Sequence, residues 1–256
     1  MIDPRAIVDP GAKVAPDAVI GPFTIIGDGV EIAAGCRIGP HVVIRGPTRI
    51  GRDTQIFQFA SIGEAPQDKK YGGEPTRLEI GERNVIRESV SIHRGTLQGG
   101  GVTRIGNDNL IMIGAHIAHD CTVGNHTIFA NNATLAGHVT IEDHVILGGA
   151  TLVRQFCALG IHSFTAGASI INKDVPPFVL VSGHMARPYG LNVEGLKRRG
   201  FSPAVVRQLR QAYKILYRSN LALDQALASL NEMAGACAEI GVMARFIERS
   251  QQGIVR

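Results

Sequence analysis

Residues 25–51, IIGDGVEIAAGCRIGPHVVIRGPTRIG, carry an apolar side chain at every sixth position, at Ile26, Ile32, Ile38, Ile44 and Ile50. Traced outward, the spacing starts at Ile2, runs through Val8, Val14 and Ile20, and continues to Ile56 and Ile62. It resumes at Ile80, Ile86 and Ile92, then from Ile105 through Ile117, Phe129, Ile141 and Val153 to Ile171, with Thr165 the one polar exception. A period of six fits neither the 3.6 of an α-helix nor a hairpin meander; it is a β-helix signature. Alternation inside each unit gives short strands, and Gly, Asn, Asp and Pro supply the bends. With three units per triangular coil, residues 18 apart stack at about 4.8 Å.

The composition agrees with that reading. Thirty-one Gly stand against nine Phe, four Tyr and no Trp in 256 residues, so the core is built from aliphatic corners and turns rather than aromatic volume. The net charge is +4 with both signs mixed along the chain, and no basic stretch is interleaved with aromatics, which argues against a nucleic-acid partner. Cys36, Cys121, Cys157 and Cys237 form no C-x-x-C pair and offer neither a zinc spacing nor a disulfide framework; reduced, buried thiols are expected. The start of the chain lacks a basic-then-apolar leader and no run of about 18 apolar residues occurs, so a cytoplasmic protein without integral membrane association is expected.

Two segments interrupt the repeat. Residues 63–79, GEAPQDKKYGGEPTRLE, are polar and turn-rich; residues 98–104 hold Gly99-Gly100-Gly101 and shift the phase, because Ile92 and Ile105 are thirteen apart. Both are expected to bulge from the scaffold, where loops often carry function. The repeat stops at Asp174-Val175-Pro176-Pro177, giving a β-helix over 1–177, a linker over 178–190 and a helical domain over 191–256. Ser202-Pro203 is a helix start, and Val206, Leu209, Ala212, Tyr213, Leu216 and Tyr217 recur at helical spacing.

The 18-residue register converts sequence into neighbours. His119, Gly137 and Gln155 form one column, and Asp120, His138 and Phe156 the next. Two imidazoles, a carboxylate and a glycine backbone therefore converge on one face, a set suited to general-base chemistry near neutral pH. A second column, His126, His144 and His162, stacks imidazoles in line, which suits a tetrahedral zinc ion poorly and reads more simply as surface or interface. Lys197-Arg198-Arg199 is the one compact basic run, either a solvated face or an anchor for phosphate.

The stretches His116–Asn125 (HIAHDCTVGN), Asn131–Val139 (NNATLAGHV), Tyr71–Arg77 (YGGEPTR), Ile92–Thr96 (IHRGT), Asp174–Pro177 (DVPP) and Asn192–Phe201 (NVEGLKRRGF) closely resemble the UDP-N-acetylglucosamine O-acyltransferases of lipid A biosynthesis. The likeness spans essentially the whole chain. It implies a left-handed parallel β-helix followed by a small helical domain, in a homotrimer with active sites between adjacent prisms. It further implies transfer of an (R)-3-hydroxyacyl group from acyl carrier protein to the 3-hydroxyl of UDP-N-acetylglucosamine, with no metal or redox cofactor. By the same resemblance His119 is the general base, Asp120 its orienting carboxylate and the Gly137 N–H an oxyanion donor. Asp68, His138, Gln155, Asn192, Glu194, Arg198 and Arg199 match positions that contact the sugar nucleotide, and Lys197 to Arg199 also suit the acidic carrier protein. Gly167 matches the position that limits acyl-chain length, and glycine there leaves room for a long chain. The sequence departs from the pattern at Arg154, where the family usually has His. Two other readings stay open at this point: a trimeric zinc hydratase resembling the γ-class carbonic anhydrases, and a non-catalytic structural β-helix.

Overall fold

The computed structural model describes residues 1–256. Its coils form a left-handed parallel β-helix with three faces. The first face has nine strands, from Ile7–Val8 to Ile170–Ile171, and the second has eight, from Lys13–Val14 to Ala158–Leu159. The third has ten, starting at Val19–Ile20. Most strands are two residues long: the first side chain points out and the second fills the prism. Ile44, Ile62, Ile92, Ile117 and Leu135 line up this way on the first face with no exposed surface. Each coil thus buries three aliphatic corners while its backbone bonds to the coils above and below, as with Val43 opposite Ser61.

The outward side chains distinguish the faces. On the second face they form a charged row, Lys13, Glu31, Arg49, Glu79 and Arg104, in which Lys13 Nζ lies 2.8 Å from Glu31 Oε1 and Arg104 Nε 3.3 Å from Glu79 Oε2. On the third they are apolar and half-buried at Val85, Leu110, Ile128, Ile146 and Phe164. One face is built for water and another is not.

Many turns are closed by non-glycine residues in the left-handed region. Asp108, His126, His144, His162 and Phe178 occupy one such column at the second–third edge, with φ between 56° and 68°. That conformation costs an L-residue roughly 1–2 kcal/mol. Ring stacking offsets part of it: the His126 and His144 centroids are 4.9 Å apart and those of His144 and His162 4.6 Å, with planes within 9° of parallel.

Both insertions leave from the first–second edge. One joins Ser61–Glu64 to Arg77–Ile80, the other Ser91–His93 to Val102–Ile105. Ser61 pairs with Ser91 and Ser91 with His116, so the coils stay in register across both. The irregular part of the first is therefore narrower than the sequence boundaries of 63–79, and that of the second is shifted toward the N-terminus relative to 98–104. Arg94 ties the two together, donating to the Gly63 carbonyl at 2.9 Å and to the Tyr71 hydroxyl at 3.2 Å.

The expected linker over 178–190 is corrected by the structure. Val179–Ser182 adds a parallel strand to the third face and Arg187–Leu191 an antiparallel one. The apolar alternation of Val179-Leu180-Val181, with both valines fully buried, continues the prism past the two prolines. Helix α1 (Val193–Arg198) follows directly, then α2 (Pro203–Arg218), α3 (Leu223–Ala234) and α4 (Ala238–Arg249). The Ser202 hydroxyl caps α2 by accepting from the Val205 N–H at 3.3 Å, and Val206, Leu209, Ala212, Tyr213 and Leu216 form its buried stripe. The chain end returns to the prism at buried Asp174, whose carboxylate accepts from Ala158 N–H at 2.7 Å and from the Ser250 hydroxyl at 2.6 Å.

Candidate active site

The first–second edge positions His119 and Asp120 in one coil and Gly137 and His138 in the next. Asp120 sits at φ 62° and His138 at φ 62°, so each corner turns sharply enough to project its side chain along the edge. The His138 N–H donates to the His119 carbonyl at 3.0 Å, locking the coils one residue out of step. The two rings meet edge to face at 5.3 Å, and Phe156 in the following coil stacks on His138 at 4.6 Å.

Asp120 is the buried centre of the group, its side chain 1% exposed against 13% for His119 and 23% for His138. Its Oδ2 lies 2.7 Å from His119 Nδ1 and 3.6 Å from His138 Nε2. A carboxylate can only accept, so His119 Nδ1 carries the proton and Nε2 is left with its lone pair. The imidazole packs against Gly137: a β-carbon there would fall 2.6 Å from Cε1 and 2.9 Å from Nε2. The Gly137 N–H, like those of His119 and Gln155 at the same corner position, donates to no protein acceptor. A base lone pair and an unpaired backbone donor thus occupy the same edge, one coil apart.

His119, Asp120 and His138 also bring three potential metal donors within 4.8 Å. Both Asp120 oxygens are already engaged, however: Thr96 donates its N–H to Oδ1 and its hydroxyl to Oδ2, each at 2.7 Å. The donor set suits a hydrogen-bonded carboxylate, not an open zinc position. The His126, His144 and His162 rings lie face to face in parallel planes.

The remaining expected residues do not gather here within one chain. Gln155 is exposed on the same edge, and Arg154 beside it reaches only the Asn172 carbonyl at 3.5 Å. Asp68 lies in the first insertion and accepts from the Lys70 N–H at 2.9 Å. Asn192 is at the second–third edge, buried, donating to the His162 carbonyl at 3.0 Å and capping α1 through the Gly195 N–H at 3.1 Å. Glu194, paired with Lys197 at 2.9 Å, and exposed Arg198 and Arg199 follow on that helix. Gly167 is at the third–first edge, where an added β-carbon meets nothing closer than the Gly149 carbonyl at 3.5 Å.

Several residues of this centre escape an 18-residue count. Thr96 and Thr103 grip Asp120, the latter accepting the Asp120 N–H at 2.8 Å. Ser91 bonds His116 Nδ1 at 2.8 Å, and buried His93 packs edge-on against His116 at 4.9 Å. Burial holds His93 down to about 4, with neighbouring His116 adding to the effect. The second insertion puts Ser91 25 positions from His116 and Thr96 24 from Asp120, while Thr103 follows it and lies 17 from Asp120, one residue off the 18-residue column. The cysteines take no part: all four are buried and free, and burial pushes the Cys121 thiol up to about 12 and Cys157 to about 11.

Comparison with known proteins completes the description. Residues 174–255 match the second-domain family model of UDP N-acetylglucosamine O-acyltransferase, and residues 11–46 and 103–137 match the bacterial transferase hexapeptide. A UDP-N-acetylglucosamine acyltransferase from Francisella novicida is 42% identical, covers 100% of this chain and 94% of its own, and superposes with a TM-score of 0.98. A UDP-N-acetylglucosamine O-acyltransferase from Moraxella catarrhalis is 46% identical over 100% of this chain and 99% of its own, at 0.97. One from Bacteroides fragilis is 38% identical over the full length of both, at 0.98.

Proposed function

Since this chain belongs to the UDP-N-acetylglucosamine O-acyltransferase family, we propose that its first–second edge is where an (R)-3-hydroxyacyl chain passes from acyl carrier protein to the sugar 3-hydroxyl. The protein is an acyltransferase acting on UDP-N-acetylglucosamine in lipid A biosynthesis. The observation that carries the assignment of the edge is the hydrogen bond from His119 to Asp120, with the Gly137 backbone packed against the imidazole.

The transfer is direct. His119 Nε2 takes the proton of the 3-hydroxyl as its oxygen attacks the thioester carbonyl, and the Asp120 carboxylate stabilises the imidazolium that forms. The Gly137 N–H donates to the developing oxyanion, an interaction stronger in the transition state than in the ground state. The tetrahedral intermediate collapses with loss of the carrier-protein thiolate, which recovers the proton from His119. Every step uses groups of this chain and its two substrates, so no cofactor is invoked.

His138 and Gln155 lie beside the base and hold the sugar. Asp68, Asn192, Glu194, Arg198 and Arg199 contact the nucleotide, and Gly167 ends the acyl groove. Because these groups sit on different edges of one prism, a complete site requires neighbouring copies. The half-buried apolar row on the third face supplies a surface for that packing. We assign a homotrimer on these grounds and place it in the cytoplasm, where both substrates are soluble; no helix is long and apolar enough to cross a membrane. The test is turnover of purified protein with UDP-N-acetylglucosamine and a panel of hydroxyacyl carrier proteins, alongside sedimentation equilibrium. No transfer with any member, or an active monomer, overturns the reading.

A further inference from the structure

The second insertion is more than a tolerated bulge. It closes over the first–second edge so that buried Thr96, 1% exposed, meets the Asp120 carboxylate with two donors. The Thr96 hydroxyl in turn accepts from the Gly99 N–H at 3.3 Å. Donor directions along the chain are therefore fixed: Gly99 N–H to Thr96 Oγ1, Thr96 O–H to Asp120 Oδ2, and His119 Nδ1–H to the same Oδ2. From the other side Thr103, fully buried, accepts the Asp120 backbone N–H and fixes the strained corner. Gly99 packs so closely that a β-carbon there would lie on the Asp120 carboxyl group.

We propose that Thr96 is a positioning residue, acting through Asp120: its hydroxyl saturates Oδ2 and so sets the tautomer and orientation of His119. The inference rests on His119 being the base. Nothing else reaches both Asp120 oxygens from within the chain; without the hydroxyl Oδ2 is held by His119 alone and can turn toward His138, whose Nε2 is only 3.6 Å away. The rotation would release His119 Nδ1 and allow the imidazole to protonate at either nitrogen.

Thr96→Val keeps the side-chain volume and the backbone N–H to Oδ1 but removes the hydroxyl. We expect kcat to fall roughly 10-fold to 100-fold, the cost typical of misplacing a catalytic group, with the KM for UDP-N-acetylglucosamine within about two-fold. Thr96→Ser should restore most of the loss. Nitrogen-15 spectra of histidine-labelled protein, assigned by subtracting the His119→Asn spectrum, should show a single Nδ1–H tautomer for His119 in wild type and Thr96→Ser, and a mixture in Thr96→Val. Should Thr96→Val not fold, Gly99→Ala displaces the carboxylate from the loop side and is read the same way.

Wild-type kcat with an unchanged His119 signal, or a Thr96→Ser variant as impaired as Thr96→Val, overturns the proposal. His119→Ala separates the two levels of the argument. If it is inactive while Thr96→Val is fully active, the clamp fails and the base stands; if it is active, the base assignment itself fails.

Discussion

The α-carbon of Gly137 packs against the imidazole of His119, so closely that one added methyl would sit 2.6 Å from Cε1. Gly137 is not in the left-handed region; it is glycine because of what lies opposite. Gly137→Ala should therefore push His119 off Asp120 without unsettling the coil. We expect turnover to drop by about 100-fold, the scale of a 1 Å misplacement, with the melting temperature within a few degrees of wild type. A variant of normal activity would show that the ring can yield at no cost.

His119→Ala removes the base itself. Turnover should fall roughly 10²–10⁴-fold, while sedimentation still reports the wild-type oligomer, since the side chain lies outside the aliphatic corners.

Arg198→Ala and Arg199→Ala address the helix after the last strand. Both guanidinium groups are exposed, so whatever they contribute to anion binding is screened by salt. The apparent KM for the sugar nucleotide or the carrier protein should rise in the variants and should climb more steeply with ionic strength in wild type. A flat salt response in wild type removes the electrostatic role.

Gly167→Met tests the acyl groove. The open space at this position means that glycine is not demanded by local packing. A side chain there should shift preference toward chains about four methylenes shorter, a difference worth about 3 kcal/mol or roughly a hundredfold at about 0.8 kcal/mol per methylene. Unchanged ranking across the carrier-protein panel would rule Gly167 out as the ruler.

Acid stability provides a separate check. Burial, with help from His144 and Arg199, holds His162 at about 4 in the folded protein, below its ordinary 6.5. The unfolded chain binds a proton first as pH falls, so this contribution to stability is complete above about 6.5 and is lost down to about 4. His162→Phe keeps a ring between His144 and Phe178 and removes the titration. Its urea midpoint should depend less on pH across that window than that of wild type; parallel curves would place the acid sensitivity elsewhere.

The aliphatic six-residue rhythm made the prism readable from sequence, because each corner must bury one side chain and the backbone has no other way to pair. The same rhythm put Gly137 beside His119 and His138 beside Asp120. It failed where chain length between coils ceased to be 18. Thr96 meets Asp120, and Ser91 meets His116, across the second insertion, and no periodic count reaches them. The strands at 179–182 and 187–191 were obscured differently: Pro176-Pro177 reads as an ending, yet buried Val179 and Val181 carry the coil onward. Asn192 shows a third limit, since the sequence does not disclose that its side chain also caps α1 and bonds the His162 carbonyl.

Both departures from the 18-residue coil exit at one edge, and the strands on either side of them keep the register of the coils apart from one bulge at Gly63. Such an edge is a seam at which the scaffold can be lengthened freely: a segment added there shifts no core side chain and breaks no ladder, while the same addition within a strand would turn its buried side chain outward. New reach toward a substrate can be acquired at the seam without renegotiating the fold, and the base stands one coil beyond it.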